Sequence, residues 1–343
     1  MDRTFPYLEV SGTHTDLGTA IGERFQEAIQ ERIKIRQEKI PNYVSYLERI
    51  EPYFSATKKA FPQLIEELTA IAKAANVPLA DYFFHNCREL FFFYLPGDIA
   101  WLENVEKGDK PEDHCTIVFS PNSENPITGH NEDWSKEALD DLYVLKATVN
   151  GITFLGLAYN TVIPGDSAMM NNFGLIQCIN ELHPHSQIGV PKNFIARAVL
   201  ECKSLDEAER LIANTKRASG YNHVLSQGNE VRNIEIAGEE MVAEKIIGLP
   251  FIHTNHYTSP RLKHLEKYHT VSSEKRYDRA KELVKPDMTK EEVISVLSDT
   301  KDSKYPICSL EDTVGSVVFV PSKDEVRICY GPPCAGEFVK YSL

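Results

Sequence analysis

The chain has 343 residues, of which 42% are hydrophobic and 25% are charged. This is the composition of an ordinary globular protein, and it argues against collagen-like, coiled-coil and extensively disordered chains. The formal net charge is −13, a field that repels polyanions such as nucleic acids. We therefore expect no nucleic-acid partner, and no membrane partner either, because no run of 18 apolar residues could cross a bilayer.

The first residues of the sequence and the cysteines indicate the cellular compartment. The first ten residues lack the apolar run of a secretory signal, so the cytoplasm is the expected location. Seven cysteines without a Cys-x-x-Cys pair argue against a disulfide framework or a zinc ribbon. We expect reduced thiols, one of them catalytic and the others packed in the core.

The first third of the sequence is predicted to be helical. Thr15 or Asp16 would cap a first helix whose apolar residues recur every four positions up to residue 33. A second helix is predicted over residues 64–75, where Asn76 and Pro78 end it. A third, rich in aromatic residues, is predicted from about 79 to 93. Together they indicate a helical layer that faces a core.

The character of the sequence changes near residue 97. Residues 97–114 are polar, acidic and rich in turn formers, which indicates an exposed loop and a candidate site of processing. Alternating strand and helix signals follow, with the best hairpin signal at Asn150-Gly151 and capping boxes at Ser204 and Thr289. Strands are predicted over 115–119, 126–131, 143–149, 153–159, 174–179, 233–237, 251–254, 315–320 and 325–330, and helices over 194–202, 274–284, 290–297 and after Ser204. This order favours an α+β fold with helices outside packed sheets.

Cys115 is the strongest candidate for chemistry, although a cysteine that begins an apolar strand is more often a small core residue. It follows the acidic loop directly, and the next strand ends in the polar cluster of residues 129–134. If the two strands pair antiparallel, Asp133 lies beside Cys115 at one end of the sheet. A thiol and a carboxylate would then share one site.

A cut before Cys115 would give this residue a free α-amino group as well as its thiol. A model α-amine has a pKa of about 7.7–8.0 and a free thiol about 8.5, so the amine can take the thiol proton near neutral pH. Such a nucleophile needs a third group to orient the base, and Asp133 is placed for that role. It also needs fixed hydrogen-bond donors for the oxyanion.

Six motifs in the right order resemble the acyl-coenzyme A:6-aminopenicillanic acid acyltransferase family over almost the whole chain. Each motif alone is weak, but their shared order is specific. They are Ser11-Gly12-Thr13-His14 with Leu17-Gly18 and Gly22, Cys115-Thr116, Gly129-His130-Asn131-Glu132-Asp133-Trp134, Asn171 with Gly174-Leu175, Thr254-Asn255, and Gly331-Pro332-Pro333-Cys334 with Gly336-Glu337-Phe338.

The resemblance implies an N-terminal nucleophile hydrolase, with a four-layer αββα sandwich and an N-terminal helical segment. Members of the family are precursors that cut themselves before the nucleophilic cysteine. This implies a fragment 1–114 and a catalytic fragment 115–343, intertwined in one globular unit.

The resemblance also implies roles for single residues. Cys115 would be the nucleophile, Asp133 the group that holds its amine, and Asn255 an oxyanion donor. Asn180 looks like the asparagine that choloylglycine-type hydrolases place beside the nucleophile. Thr116 and Asn131 lie in the same motifs as these residues, and we expect them to support the substrate.

Two departures from the family pattern stand out. Relatives usually have glycine before the nucleophile, whereas this chain has His114 at the expected autocleavage bond. A Cβ there restricts the backbone, although the imidazole could assist cleavage by proton transfer. Relatives also tend to carry an arginine near residues 308–316, and this stretch has none.

The histidines at 183, 185, 253 and 256 do not match a metal-binding motif. We interpret them as neutral, hydrogen-bonding side chains, and we expect no metal and no cofactor. The predicted function is hydrolysis or acyl transfer on a small N-acyl amide or thioester, with an amine as a possible acceptor, and hydrolysis is preferred. One alternative is an uncut enzyme whose internal Cys115 thiol is activated by His114 or His130. The other is a binding protein without catalysis.

Overall fold

The computed structural model describes residues 3–40, 42–87, 90 and 114–343, and His114 by its backbone only. This part of the chain is a mixed α/β structure with ten α-helices and two β-sheets. Residues 97–113 of the predicted processing loop lie outside the described residues. So do residues 88, 89 and 91–93 at the end of the predicted third helix. No described helix is long and apolar enough to span a membrane.

The helices fall into two groups along the chain. The first group precedes the strand that carries Cys115, and the second lies between later strands. The helices are α1 (His14–Arg24), α2 (Gln26–Lys39), α3 (Tyr43–Arg49), α4 (Glu51–Ala60), α5 (Pro62–Ala74), α6 (Leu79–His85), α7 (Lys192–Val199), α8 (Leu205–Asn214), α9 (Val271–Leu283) and α10 (Lys290–Leu297).

Fourteen strands are described. They are β1 (Tyr7–Gly12), β2 (His114–Ser120), β3 (Ile127–Asp133), β4 (Leu142–Val149), β5 (Ile152–Tyr159), β6 (Ala168–Asn171), β7 (Ile176–Glu181), β8 (Tyr221–Gln227), β9 (Glu230–Ala237), β10 (Glu240–Ile247), β11 (Phe251–His253), β12 (Thr313–Val320), β13 (Glu325–Tyr330) and β14 (Phe338–Tyr341). The first sheet has eight strands in the order β1-β4-β5-β6-β7-β8-β9-β10, and the second has six in the order β11-β2-β3-β12-β13-β14.

Apolar side chains from these elements form three main cores. The largest joins helices between α1 and α8 to one face of the first sheet, as Leu68 and Leu145 illustrate. A second core lies between the two sheets and contains Phe119 and Leu157. A third joins α9 and α10 to the second sheet through residues such as Val293 and Val318. Burial of these faces is the main force that stacks the elements.

Local sequence signals explain several element ends. Thr13, and not Thr15 or Asp16, is the N-cap of α1, and Asp16 completes a capping box with it. The predicted box of Thr289 and Glu292 is confirmed at the start of α10. The Asn150-Gly151 hairpin is also confirmed, with φ angles of 51° and 84° that a two-residue turn of this type requires.

The close packing of α1 on α5 depends on a small residue. A Cβ on Gly18 would lie 2.2 Å from the carbonyl oxygen of Glu67, so only glycine permits this approach. The contact holds α1 against α5, and both helices contribute apolar residues to the core that covers the first sheet.

Several predicted elements differ from the structure. The third helix, predicted to reach about residue 93, ends at His85 as α6. Strands β1, β6, β8, β10 and β14 were not predicted. The segment before residue 114 is therefore not purely helical, because β1 pairs in parallel with β4 and extends the first sheet.

The hairpin of β2 and β3 positions the candidate site. The two strands pair antiparallel, as predicted, and the register places Cys115 opposite Glu132 and His114 opposite Asp133. Since side chains alternate between the faces of a strand, Cys115 and Glu132 share one face of the sheet. Asp133 shares the other face with Thr116.

Candidate active site

The backbone of Cys115 is held by three side chains that are distant in sequence. Its N–H donates to Oδ1 of Asn255 over 2.8 Å. Its carbonyl oxygen accepts from Nδ2 of Asn180 at 3.1 Å and from Nη1 of Arg276 at 2.8 Å. Both peptide groups next to this residue are thus fixed by partners from the first sheet, the loop after β11 and α9.

The thiol of Cys115 lies beside a buried carboxylate. Sγ is 3.9 Å from Oε1 of Glu132. That carboxylate also accepts from the hydroxyls of Ser167 at 2.5 Å and Tyr159 at 3.0 Å, and it lies 2.8 Å from Nε2 of His130. Burial and the negative charge of Glu132 raise the pKa of Tyr159 well above its ordinary value. The phenol therefore remains a hydrogen-bond donor to Glu132 near neutral pH.

Arg276 of α9 connects the elements around Cys115. Its side chain is buried, and it donates to the hydroxyl of Thr116 at 2.8 Å, to Oδ1 of Asn255 at 3.1 Å and to Ser272 at 3.2 Å. Burial lowers the pKa of Arg276 from its ordinary value, and nearby negative charge opposes that change. Because a guanidinium group keeps its proton in proteins, Arg276 places a positive charge 2.8 Å from the Cys115 carbonyl oxygen.

Asp133 lies on the same side of the second sheet as Arg276. It is buried, and its Oδ1 makes no hydrogen bond to any residue that the structure describes. Burial raises the pKa of Asp133 to about 7, although the positive charge of Arg276 and a hydrogen bond from Thr313 act in the opposite direction. The carboxyl group therefore changes charge near neutral pH, next to the peptide bond between His114 and Cys115.

A chain of buried polar groups orients Asn180. Nδ1 of His253 lies 3.0 Å from Oδ1 of Asn180, and Nε2 lies 3.0 Å from Oε1 of Glu235. Burial opposes ionisation of Glu235, but bonds from His253 and Thr258 outweigh it and lower the pKa of Glu235 to about 2. With Oδ1 accepting from His253, the amide nitrogen of Asn180 points to the Cys115 carbonyl.

The other residues predicted from sequence take different positions. The amide of Asn131 donates to the backbone carbonyls of Leu297 and Ile307, on the side of α10, and the structure does not bring it to the Cys115 thiol. Thr116 contacts the site through Arg276. The side chain of His114 lies outside the described residues.

Asn255 was expected to donate to an oxyanion, and its observed contacts are more varied. Its oxygen accepts from Cys115 and Arg276, whereas its nitrogen donates to the backbone carbonyl of Glu181 at 3.3 Å. In the uncut chain, Asn255 therefore orients the nitrogen of Cys115.

A cavity of about 280 Å³ opens onto the thiol. This volume is just below the range of roughly 300–1,000 Å³ that is usual for ligand pockets, which indicates a small ligand. Its lining combines the Cys115 thiol and the Tyr159 phenol with several charged side chains. The acidic ones include Glu132, Asp166 and Glu181, and the basic ones are Lys192 and, from α2, Arg32 and Arg36.

One group of side chains has the donor types that a metal ion needs. The ligand atoms of Cys115, His130 and Glu132 lie within 4.8 Å of one another, and no other such group occurs among the residues that the structure describes. Because Glu132 already accepts from Ser167 and Tyr159, we interpret it as a hydrogen-bonded acid and not as a metal ligand.

Sequence reasoning missed Arg276 and gave no role to Glu132. The inward face of α9 carries Ser272, Ser273, Arg276 and Ala280, so an arginine at an inward helical position was the available signal. Glu132 was visible within the 129–134 motif. The strand register shows why it matters, since it faces Cys115 directly.

Comparison with known proteins supports the motif analysis. No curated protein matches the chain. A family model described as acyl-coenzyme A:6-aminopenicillanic acid acyl-transferase matches residues 120–334, well over half of the chain. The matched region begins after Cys115 and includes Asp133, Asn180, Asn255 and Arg276. The chain therefore belongs to the acyl-coenzyme A:6-aminopenicillanic acid acyl-transferase family, whose activity is on acyl groups.

Proposed function

We propose that this protein is a self-processed cysteine amidohydrolase with the four-layer αββα fold of N-terminal nucleophile hydrolases. The stacking of helices, two sheets and further helices supports the fold. The substrate is a small N-acyl amide or thioester, and the acyl group passes through a thioester on Cys115 to water or to an acceptor amine.

One observation carries this proposal: side chains from three distant parts of the chain bind the backbone nitrogen and carbonyl of Cys115, while its thiol opens onto a cavity. A cysteine that only fills core space needs no such set of partners. The arrangement fixes the nitrogen and the sulfur relative to each other, as a residue that supplies both base and nucleophile requires.

Processing begins when the Cys115 thiol attacks the carbonyl carbon of His114. The peptide C–N bond breaks as the C–S bond forms, and the proton moves from sulfur to the departing nitrogen. Water then hydrolyses the thioester, which leaves the carboxylate of residue 114 and the free α-amine of Cys115. Asp133, opposite His114 in the hairpin, lies next to the bond that breaks.

In turnover, the free amine takes the thiol proton, and the thiolate attacks the substrate carbonyl. The oxygen of Asn255 that now accepts from the Cys115 N–H orients this amine. One hydrogen of the Asn255 amide donates to Glu181, and we assign the other to the oxyanion, together with a backbone N–H. The amine returns its proton to the leaving group, and water or an amine then releases the acyl group from sulfur.

The mass of the purified chain under denaturing conditions is the first test. We expect two fragments, residues 1–114 and 115–343, of which the larger begins Cys-Thr-Ile-Val. We expect Cys115→Ala to remain a single chain without amidase activity. Cys178→Ala is the matched control, since it removes another buried thiol, from β7 of the first sheet, two positions before Asn180. Turnover by Cys115→Ala would overturn the proposal.

A second candidate is a thiol hydrolase that remains uncut. The contact of the Cys115 thiol with Glu132, itself paired with His130, supplies a proton acceptor that needs no free amine. A single intact chain that is active, and that loses activity in Glu132→Gln, would favour this mechanism. Formation of two fragments, with activity in the cut form only, would favour the self-processed amidohydrolase.

A further inference from the structure

We propose that the cavity at Cys115 selects substrates with a cationic amino group, and that Asp166 is the residue that binds this group. The inference rests on the proposed amidohydrolase function and names its substrate class. It starts from the position of Asp166, which lines the same cavity as the Cys115 thiol.

In the part of the chain that the structure describes, the cavity's Lys192 pairs with Glu181, and no ion pair with the carboxylate of Asp166 is seen. Its Oδ1 is buried and makes no hydrogen bond to any residue within the described ranges. Buried carboxylate oxygens normally accept hydrogen bonds, and an unpaired one in a cavity indicates a donor that arrives with a ligand. An ammonium group supplies both the donors and the opposite charge.

The loop that carries Asp166 is held firmly on both sides. The carbonyl of Gly165 accepts from Gln177 at 3.1 Å, and the hydroxyl of Ser167 donates to Glu132 at 2.5 Å. A Cβ on Gly165, whose φ is +117°, would come within 2.9 Å of the backbone nitrogen of Arg197 in α7. The position of the carboxylate is thus set by the fold before any ligand binds, as a specificity residue requires.

The other charged groups of the cavity leave an excess of negative charge near the thiol. Lys192 forms an ion pair with Glu181 and lies 4.0 Å from the ring centre of Tyr221. Glu132 lies 3.9 Å from the thiol, and Asp166 lines the same cavity. Burial and then the charge of Glu132 raise the pKa of Asp166 well above its ordinary value, although the charge of Lys192 acts in the opposite direction. A cationic ligand relieves this repulsion, whereas an anionic one increases it.

On the α2 side of the cavity, Arg32 has a carboxylate neighbour. Arg32 lies 2.9 Å from Asp141 and donates to the backbone carbonyl of Glu137 at 2.7 Å. These contacts direct Arg32 to the protein itself. The chemistry therefore favours a cation near the thiol over an anion.

Two sets of small linear amides test the proposal. In the first, the amine part varies: N-(2-aminoethyl)acetamide is cationic, N-(2-hydroxyethyl)acetamide neutral and N-acetylglycine anionic. In the second, the acyl part varies in the same way, with 4-aminobutanamide, 4-hydroxybutanamide and succinamic acid. Binding is measured by calorimetry and turnover by release of the amine product. We expect the cationic member of at least one set to exceed its neutral counterpart about tenfold or more in binding and in kcat/KM.

The variants separate a specific contact from general electrostatics. In Asp166→Asn, the ratio of cationic to neutral probe should fall to about one, whereas Asp166→Glu should retain a preference for the cation. Glu137→Gln removes the same charge from the outer rim of the cavity and should retain the wild-type ratio. Melting curves of the three variants show whether each is folded.

The outcomes also distinguish this proposal from the proposed function. If no probe is hydrolysed but the cationic probe binds best and loses this advantage in Asp166→Asn, the amidase function fails and the cation site stands. Turnover with a preference for neutral or anionic probes would overturn the cation site alone. So would a cation preference that survives Asp166→Asn, or the absence of binding by both cationic probes.

Discussion

Two clusters of buried charge in this protein differ in how their members are paired. In the helical layer, Arg197 makes a bidentate contact with Glu67, at 2.9 and 2.8 Å, and lies 2.9 Å from Glu201. His14 completes the network at 2.7 Å from Glu67. This cluster joins α1, α5 and α7, and its cations and carboxylates contact each other directly.

Around Cys115, the buried cation contacts neutral oxygens instead. Arg276 donates to the Cys115 carbonyl, to Thr116 and to Asn255, while Asp133 and Asp166 each retain an oxygen without a partner in the described part of the chain. Charges that pair with each other stabilise packing, whereas charges held apart remain available to a reaction or a ligand. The difference separates the structural cluster from the functional one.

Removal of Arg197 should break the structural cluster and give the largest loss of stability. Arg197→Met leaves Glu67 and Glu201 without their cation, and we expect the free energy of unfolding to fall by about 3–5 kcal/mol. Denaturant titration measures this change. Arg197→Lys keeps the charge and should recover part of the loss. A change below about 1 kcal/mol would contradict a structural role for the network.

The same substitution at Arg276 should affect chemistry more than stability. Asp133 can neutralise itself by binding a proton, so Arg276→Met should cost less stability than Arg197→Met. Loss of the contact with the Cys115 carbonyl should slow processing about 100-fold or more. A time course of fragment formation, read beside a denaturant titration, checks both parts. If Arg276→Met is processed at the normal rate but is strongly destabilised, the role of Arg276 would be structural, and the contrast with Arg197 would be wrong.

The pH dependence of stability should show the raised pKa of Asp133. The folded state holds this proton up to about pH 7, whereas an unfolded aspartate releases it near 3.8. The contribution to stability is therefore largest below about pH 4 and is lost as the pH rises through 7, on the order of 4 kcal/mol. We expect this slope in uncut Cys115→Ala and its disappearance when Asp133→Asn is added. A slope of opposite sign would contradict the assignment.

His14 should give a smaller effect in a different pH window. Burial alone would lower the pKa of His14, but hydrogen bonds to Glu201 and Glu67 outweigh it and raise the pKa to about 9. The stabilisation is fully present below about pH 6.5 and is lost as the pH rises through 9, on the order of 1 kcal/mol. Melting temperatures of wild type and His14→Gln across this range measure it. Parallel curves for the two proteins would show that His14 carries no such charge.

Local signals in the sequence predicted much of the fold. The Thr289 capping box, the Asn150-Gly151 turn and the β2–β3 hairpin depend on residues that are neighbours in the chain, and the structure confirms them. Strand β10 was missed because it is partly exposed on both faces at the edge of its sheet, which removes the alternation that identifies strands.

The site was predictable only in part, and the reason is distance along the chain. Cys115 and Asp133 belong to one hairpin, so the motif spacing was enough to place them at the same end of the sheet. The expectation that the thiol and this carboxylate share one site was wrong, because the strand register puts them on opposite faces and places Glu132 beside the thiol. The contacts of Cys115 with Asn180, Asn255 and Arg276 span 65 to 161 positions. Family motifs pointed to the two asparagines, but nothing in the local sequence distinguished Arg276 from a surface arginine.

The parallel pairing of β1 with β4 has a consequence for the protein after a cut before Cys115. The two products would share one sheet and one core, so they would remain bound without a covalent link. Unfolding would then also be a dissociation, and the melting temperature of the cut protein would depend on its concentration, unlike that of the uncut chain. Once separated by denaturant, the fragments could regain the native state only by bimolecular association.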